Sequence, residues 1–255
     1  MTLMVHPEVT KLKEKLTQLI FEYDNLMDHV CPEIERRYVL EFGMQEYSLY
    51  KVELEIDKLK YKLKLIQTEI NHEKEIDLAK IEEKVSKEFE EYEKKLQGQI
   101  DEIKLLEETK VEKLSESDTK KLKQIYRMLI KRLHPDLNPN LSYLEISLFF
   151  KATNAFKKGD LKELESVVAI LPDENVEELS EIDNLRDLVK SYEDKIVKVK
   201  NEYPYNKKEL LENRKSGNDY KEMLNELIDD RKEDVEKLKN RINKLIENVK
   251  YPKTR

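Results

Sequence analysis

Apolar residues recur along much of this chain at alternating intervals of three and four residues. The first such series is Leu49, Val52, Ile56, Leu59, Leu63, Ile66 and Ile70. This spacing places the side chains on one narrow face of an α-helix and is typical of a coiled-coil seam. The pattern weakens at Glu73 and Asp77 and then resumes with Ile81, Val85, Phe89, Tyr92, Leu96, Ile100 and Ile103. We predict one long coiled-coil helix over residues 44–114, preceded by an N-terminal helical segment over residues 1–43.

The C-terminal third repeats this pattern. One seam consists of Ile182, Leu185, Val189, Tyr192, Ile196, Val199 and Tyr203. Pro204 interrupts it, and a second seam follows with Val235, Leu238, Ile242, Leu245 and Val249. Helices with such narrow apolar faces need a partner. The seams could pair with one another or with a second chain, so we predict a helical hairpin or coiled coil over residues 173–255 and leave a homodimer open.

Residues 119–133 predict a shorter amphipathic helix, with Ser117 or Asp118 as its N-cap. Its apolar face holds Leu122, Ile125, Tyr126, Leu129 and Leu133. The opposite face is basic, with Lys120, Lys123, Arg127 and Lys131, and no acid occurs between Thr119 and Pro135. Pro135 ends the helix, because the residue before a proline is driven out of the α region.

Two further helices are predicted after a loop over residues 134–141. The first covers residues 142–158, with Leu144, Leu148, Ala152 and Ala155 on its buried face, and Gly159 is a natural residue to end it. Asp160 and Glu163 form a capping-box pattern for a helix over residues 161–171, which Pro172 stops. Residues 115–172 therefore predict a small helical module within an all-α chain.

Composition agrees with this architecture and excludes several functions. Of the 255 residues 40% are charged, and there are only 4 glycines and no tryptophan, as in long helices and coiled coils. The net charge of −7 argues against bulk affinity for nucleic acid. One cysteine, Cys31, allows neither an internal disulfide nor a cysteine metal site. No segment resembles a membrane span or a signal peptide, so a cytoplasmic protein is expected.

The loop and its flanking helices carry a resemblance to a known family. The segment YRMLIKRLHPDLNPN, residues 126–140, resembles the second helix and loop of a J-domain, the module of DnaJ-type co-chaperones. The segment FFKATNAFKKGDLKEL, residues 149–164, resembles the third helix of that family. The resemblance covers residues 118–158 and places the chain with the minimal class, in which a central J-like module lies between coiled-coil flanks.

The resemblance implies a function without covalent chemistry, metal or cofactor. J-domains dock on DnaK-type chaperones through the basic face of the second helix and the His-Pro-Asp loop, and they stimulate ATP hydrolysis by the chaperone. Carried over to this chain, His134, Pro135 and Asp136 are the trigger. The remaining expected chaperone-binding residues are Lys120, Lys123, Tyr126, Arg127, Lys131 and Asn138. The coiled-coil arms would then recruit a client or partner protein.

Two departures from the family pattern support a different hypothesis. The usual short aromatic helix that ends in Leu-Gly is missing, so that residues 103–114 would have to replace it with Leu105, Leu106, Val111 and Leu114. The position after His-Pro-Asp, commonly lysine in the family, is Leu137. The chain could therefore be a coiled-coil scaffold or adaptor whose J-like centre is degenerate and does not stimulate a chaperone.

Other functions have weaker support in the sequence. His134 and Asp136 resemble a catalytic dyad, but no nucleophile or phosphate-binding loop accompanies them, so an enzyme is not expected. The other three histidines lie on other segments, without the spacing of a metal site. The basic face could bind phosphates, although it is one helix on an acidic chain. We expect neither nucleic acid nor a membrane as a partner.

Overall fold

The computed structural model describes residues 7–108, 114–171 and 182–250. Within them the fold is all-α, as predicted, and contains no strand. The helices are α1 (Pro7–Asn25), α2 (Cys31–Asn71), α3 (Leu78–Glu108), α4 (Glu116–Leu133), α5 (Tyr143–Lys158), α6 (Leu161–Ala169), α7 (Ile182–Asn201), α8 (Lys208–Glu212) and α9 (Arg214–Lys250). Val111, Pro172 and the side chain of Val249 lie outside the described residues.

The chain forms two compact units, each built from segments that are far apart in the sequence. Unit 1 contains residues 7–35, 114–171 and 182–208, and unit 2 contains residues 36–108 and 209–250. The predicted J-like module therefore lies in unit 1 together with α1 and α7. The units do not follow the linear division into residues 1–43, 44–114, 115–172 and 173–255.

The prediction of one long helix over residues 44–114 is wrong. α2 ends at Asn71 and α3 begins at Leu78. Glu73 takes a left-handed conformation with φ of 54°, and the Asp77 carboxylate accepts a hydrogen bond from the Lys80 backbone N–H at 3.1 Å. The weakened apolar pattern at Glu73 and Asp77 marks this turn, because residues without an apolar face gain little from continuing a coiled coil.

Unit 2 is a three-helix coiled coil. α3 runs antiparallel to α2, since Tyr61 contacts Phe89 with ring centroids 6.0 Å apart and Gly43 lies against Ile103. α9 runs parallel to α2, as ion pairs show from Glu41–Lys221 at 2.9 Å to Glu55–Lys239 at 2.8 Å. All predicted α2 seam residues are buried or half-buried. The C-terminal part of the seam, Leu59, Leu63, Ile66 and Ile70, shares a cluster with residues of the partner helices, among them Ile81, Val85, Ile242 and Ile246.

Unit 1 is held together by α1, which packs on both α4 and α7. α1 and α7 run parallel, with ion pairs Glu8–Arg186, Lys15–Glu193 and Glu22–Lys200. These pairs recur at intervals of seven residues on both helices, which is the register of a parallel coiled coil. The pairing differs from the C-terminal hairpin that we expected: α7 pairs with α1, and α9 pairs with α2.

The central helices match the predictions, with shifts at their ends. α4 begins three residues earlier than expected, because the Ser115 side chain accepts a hydrogen bond from the Asp118 backbone N–H and acts as N-cap. α5 begins with a full capping box between Ser142 and Glu145. It ends at Gly159, which has a left-handed φ of 68° as predicted.

One local prediction is corrected by the structure. Leu144 is 58% exposed and does not belong to the buried face of α5.

A π-helical turn, Leu26–Val30, joins α1 to α2 just before Cys31 and Pro32. A wider turn suits this position, because Pro32 has no N–H to donate to the preceding turn.

None of the described helices combines the length and the apolar character needed to cross a membrane.

Candidate functional site

The loop between α4 and α5 presents His134, Pro135 and Asp136 at the end of the basic helix. His134 follows the last residue of α4 in an extended conformation, as expected before a proline. Its carbonyl accepts hydrogen bonds from the N–H groups of Leu137 and Asn138, both at 3.0 Å. The loop therefore turns tightly around the His134 carbonyl, and Pro135 is exposed at its surface.

Asn138 stabilises this turn. Its side-chain amide donates to the backbone carbonyl of Lys131 at 3.1 Å and to that of His134 at 3.3 Å. The Lys131 carbonyl lies in the last turn of α4 and the His134 carbonyl follows that turn. Backbone oxygens at this end of a helix lack N–H partners within the helix. We expected Asn138 among the chaperone-binding residues, and the structure gives it a structural role in the loop.

The His134 ring is packed on one side and hydrogen-bonded at Nδ1. The Asp136 backbone N–H donates to Nδ1 at 3.1 Å, and the Phe149 ring of α5 meets the imidazole edge to face, with centroids 4.9 Å apart. Burial lowers the pKa of His134, the Asp136 carboxylate raises it, and Lys195 lowers it. The ring is therefore neutral at pH 7, and the proton lies on Nε2 because Nδ1 accepts a hydrogen bond.

The Asp136 carboxylate is half-buried and held by α7. Tyr192 donates its hydroxyl to Asp136 Oδ2 at 3.2 Å, and its ring centroid lies 6.4 Å from that of His134. No sequence pattern brings Tyr192 to this loop, because the only signal it carries is its place in the α7 seam. This residue was missed as part of the site.

The basic face of α4 is present, but its cations differ in their surroundings. Lys120 and Lys131 are exposed and form no ion pair within the described residues. The Arg127 guanidinium lies over the Phe21 ring of α1, 4.1 Å from its centroid. Lys123 is half-buried near His29, whose pKa is lowered by burial and further by the charge of Lys123. Lys120 and Lys131 are therefore the exposed cations of this face that make neither an ion pair nor a ring contact within the described residues.

Tyr126 is not a surface residue, which corrects its expected place among the docking residues. It is fully buried, and its ring stacks on Phe156 with centroids 3.9 Å apart. Its hydroxyl donates to Asp24 Oδ2 in α1 at 2.8 Å. Burial raises the pKa of Asp24 to about 6. An acid four residues after Ile20, in line with the apolar face of α1, is the sequence signal that could have identified this pair.

α1 takes the place that we expected residues 103–114 to fill. Leu16, Ile20 and Phe21 of α1 share one buried cluster with the apolar face of α4, and the Phe21 and Tyr126 rings lie 6.5 Å apart. By contrast, Leu105 is 64% exposed and belongs to unit 2. The J-like hairpin therefore packs against an N-terminal helix that does not directly precede it in the sequence.

Leu137 is accounted for by its surroundings. It is 2% exposed and belongs to the same apolar cluster as Leu133 and Tyr192. A lysine at this position would bury its charge against apolar side chains, which is costly without a partner.

No cluster of histidine, cysteine or carboxylate side chains in the described parts of the chain has the arrangement of a metal site.

Comparison with known proteins adds no family assignment. No protein-family model matches the chain, and neither a curated protein nor a solved structure matches it.

Proposed function

We propose that this protein is a cytoplasmic J-domain co-chaperone that docks on a DnaK-type ATPase and stimulates its ATP hydrolysis. It performs no covalent chemistry itself. The residues assigned to the trigger are His134, Pro135 and Asp136, and those assigned to docking are Lys120, Lys123, Arg127 and Lys131.

The observation that carries the proposal is the geometry of the α4–α5 hairpin. The two helices are antiparallel, since Tyr126 meets Phe156 near one end and His134 meets Phe149 near the loop. A basic helix thus ends in a His-Pro-Asp turn whose proline is exposed, whose imidazole is neutral and whose carboxylate is half-buried. A basic helix followed by a His-Pro-Asp loop is the arrangement that the resemblance to J-domains implies.

Electrostatics gives the basic face a role in partner selection. The whole chain carries a net charge of −7, yet Lys120 and Lys131 are exposed without partners among the described side chains. A local cationic surface steers encounter with an acidic patch on a partner, and this attraction weakens as salt increases. The three-helix coiled coil of unit 2 is the part that we assign to client or partner recruitment.

The test is single-turnover ATP hydrolysis by a DnaK-type chaperone from the same organism, with and without the full-length protein. We expect wild type to stimulate hydrolysis and His134→Gln to abolish the stimulation. Because the ring is only partly buried, this change leaves the helices folded, which circular dichroism checks.

His72→Gln is the matched control, because His72 is exposed in the connection between α2 and α3. It should stimulate like wild type. Equal stimulation by wild type and the His134 variant would contradict the proposal.

A coiled-coil scaffold or adaptor is the second candidate. The specific observation in its favour is that α1, rather than the aromatic Leu-Gly helix of J-domains, covers the hairpin. In this case neither wild type nor the variant would stimulate the chaperone, and binding to the chaperone would be absent.

A further inference from the structure

Tyr192 connects α7 to the trigger loop by a single directed contact. Within the described residues, its hydroxyl is the only group that donates a hydrogen bond to the Asp136 carboxylate, at 3.2 Å from Oδ2. The two residues are 56 positions apart in the sequence. No other side chain of the described structure donates a hydrogen bond to this carboxylate, so its orientation depends on a residue outside the α4–α5 hairpin.

Packing fixes the ring of Tyr192 independently of its hydrogen bond to Asp136. It is 7% exposed and meets the Tyr23 ring of α1 edge to face, with centroids 5.9 Å apart. Lys195, which is also in α7, places its ammonium group 4.2 Å from the centroid of the Tyr192 ring. A side chain held between two helices in this way presents its hydroxyl at a defined point.

The hydroxyl remains a donor throughout the physiological pH range. Burial raises the pKa of Tyr192, and the negative charge of Asp136 raises it further. A phenylalanine would make the same ring contacts, but only tyrosine can donate to the carboxylate. A hydrogen bond to an ionised acceptor is among the stronger ones in proteins.

We propose that Tyr192 is a positioning residue. Its hydroxyl holds the Asp136 carboxylate in the orientation needed to engage the chaperone. This inference rests on the proposed co-chaperone function and extends the working module to α7. Asp136 Oδ2 is occupied by the tyrosine, whereas Oδ1 accepts no hydrogen bond from the described residues and is the oxygen left for the partner. Tyr192 itself does not touch the chaperone and acts only by holding Asp136.

The experiment compares full-length Tyr192→Phe with wild type in single-turnover ATP hydrolysis, at increasing concentrations of the co-chaperone. We expect maximal stimulation to fall by about 3- to 10-fold, because a carboxylate freed from its donor samples several rotamers. The concentration for half-maximal stimulation should change less, since the basic face of α4 is intact.

Tyr23→Phe is the matched control. Its ring lies in the same aromatic contact, but its hydroxyl makes no hydrogen bond within the described part of the chain. It should stimulate like wild type. A loss of the same size in the control would show that removing any hydroxyl from this aromatic contact has the same effect, and it would overturn the positioning role.

A second measurement follows the carboxylate without the chaperone. Three-bond Hα–Hβ couplings of Asp136 report its χ1 rotamer, and we expect one rotamer in wild type and averaged values in Tyr192→Phe. A role limited to stability would leave these couplings unchanged, and so unchanged couplings would overturn the inference.

The two proposals fail in different ways. If wild type stimulates, His134→Gln does not, and Tyr192→Phe equals wild type, the positioning role alone is overturned. If wild type itself gives no stimulation, the co-chaperone function is overturned and the role of Tyr192 in it falls as well.

Discussion

At the scale of single residues, the Tyr126–Asp24 pair places an ionisable group inside unit 1. Burial raises the pKa of Asp24, the hydrogen bond that it accepts from the Tyr126 hydroxyl at 2.8 Å lowers it, and the nearby charge of Asp28 raises it, so that the pKa is about 6 instead of the ordinary 3.8. The folded protein therefore binds this proton more tightly than the unfolded chain does. The contribution of Asp24 to stability is complete below about pH 4 and is lost as pH rises through about 6.

Asp24→Asn removes this pH dependence. We expect the variant to be more stable than wild type at pH 7.5 by about 1–3 kcal/mol, because an ionised buried carboxylate is replaced by a neutral amide that can still accept from Tyr126. The difference between the two proteins should shrink as pH falls from 7 to 4. Urea denaturation at several pH values measures it.

The control for this prediction is Asp230→Asn, which changes an exposed carboxylate in α9. Its free energy of unfolding should stay close to that of wild type at every pH. A wild-type stability that rises relative to Asp24→Asn between pH 4 and pH 7 would contradict the assignment of a raised pKa to Asp24.

At the scale of elements, the caps determine where the helices around the loop begin. Ser142 Oγ accepts from the Glu145 backbone N–H at 3.3 Å, and the Glu145 carboxylate accepts from the Ser142 backbone N–H at 2.8 Å. This reciprocal pair satisfies two backbone donors at the first turn of α5. Since α5 carries Phe149 against His134, the cap also fixes one wall of the loop that holds His134, Pro135 and Asp136.

Ser142→Ala should lower the free energy of unfolding by about 1 kcal/mol, because alanine has no side-chain oxygen to accept from the Glu145 backbone N–H. Ser147→Ala is the comparison, since Ser147 is exposed within the same helix. It should be neutral or stabilise by a few tenths of a kcal/mol, because alanine is the better helix former. Thermal unfolding of the two variants decides, and equal losses would argue against the cap.

Helix pairing belongs to the same scale and was only partly predictable. The α7 seam residues Leu185, Val189, Tyr192 and Ile196 are buried as their spacing predicts, whereas Tyr203 is 51% exposed. The choice of α1 as the partner of α7 follows from ion pairs at matching heptad positions on two helices. Seven-residue periodicity shows that a helix needs a partner, but it is shared by all the seams and does not select one.

At the scale of the whole molecule, the J-like hairpin is part of a unit built from two stretches of the chain that are far apart in the sequence. The buried cluster of unit 1 combines Leu16, Ile20 and Phe21 of α1 with the apolar faces of α4 and α5. Burial of each such side chain contributes about 1.5–3 kcal/mol. Their sum is a large fraction of the 5–15 kcal/mol that typically stabilises a whole domain.

A fragment of residues 104–173 is therefore expected to fold poorly. It retains α4, α5 and α6 but lacks the helices that cover Tyr126 and His134. We expect no cooperative unfolding transition by circular dichroism, whereas the full chain should show one. A sharp transition and dispersed amide resonances for the fragment alone would show that α1 and α7 are dispensable.

Local features of this protein follow from its amino-acid sequence. Helical periodicity identifies the seams, Pro135 and Gly159 mark helix ends, and the row of cations before His134 indicates the basic face. These features depend on neighbours within a few residues, so spacing and backbone preferences are sufficient to predict them. The turn after Asn71 is visible as a weakened apolar pattern, but periodicity on both sides of it predicts a continuous helix.

The tertiary structure decided which helices meet. It replaced residues 103–114 with α1 beside α4, placed Tyr126 in the core, buried Leu137 and brought Tyr192 to Asp136 across 56 residues. Such contacts depend on the complementarity of whole helix faces, and amphipathic helices with similar seams can satisfy a local pattern in several arrangements. The basic helix and the turn at His134, Pro135 and Asp136 were therefore predictable from the sequence, whereas the contacts that hold this turn come only from the fold.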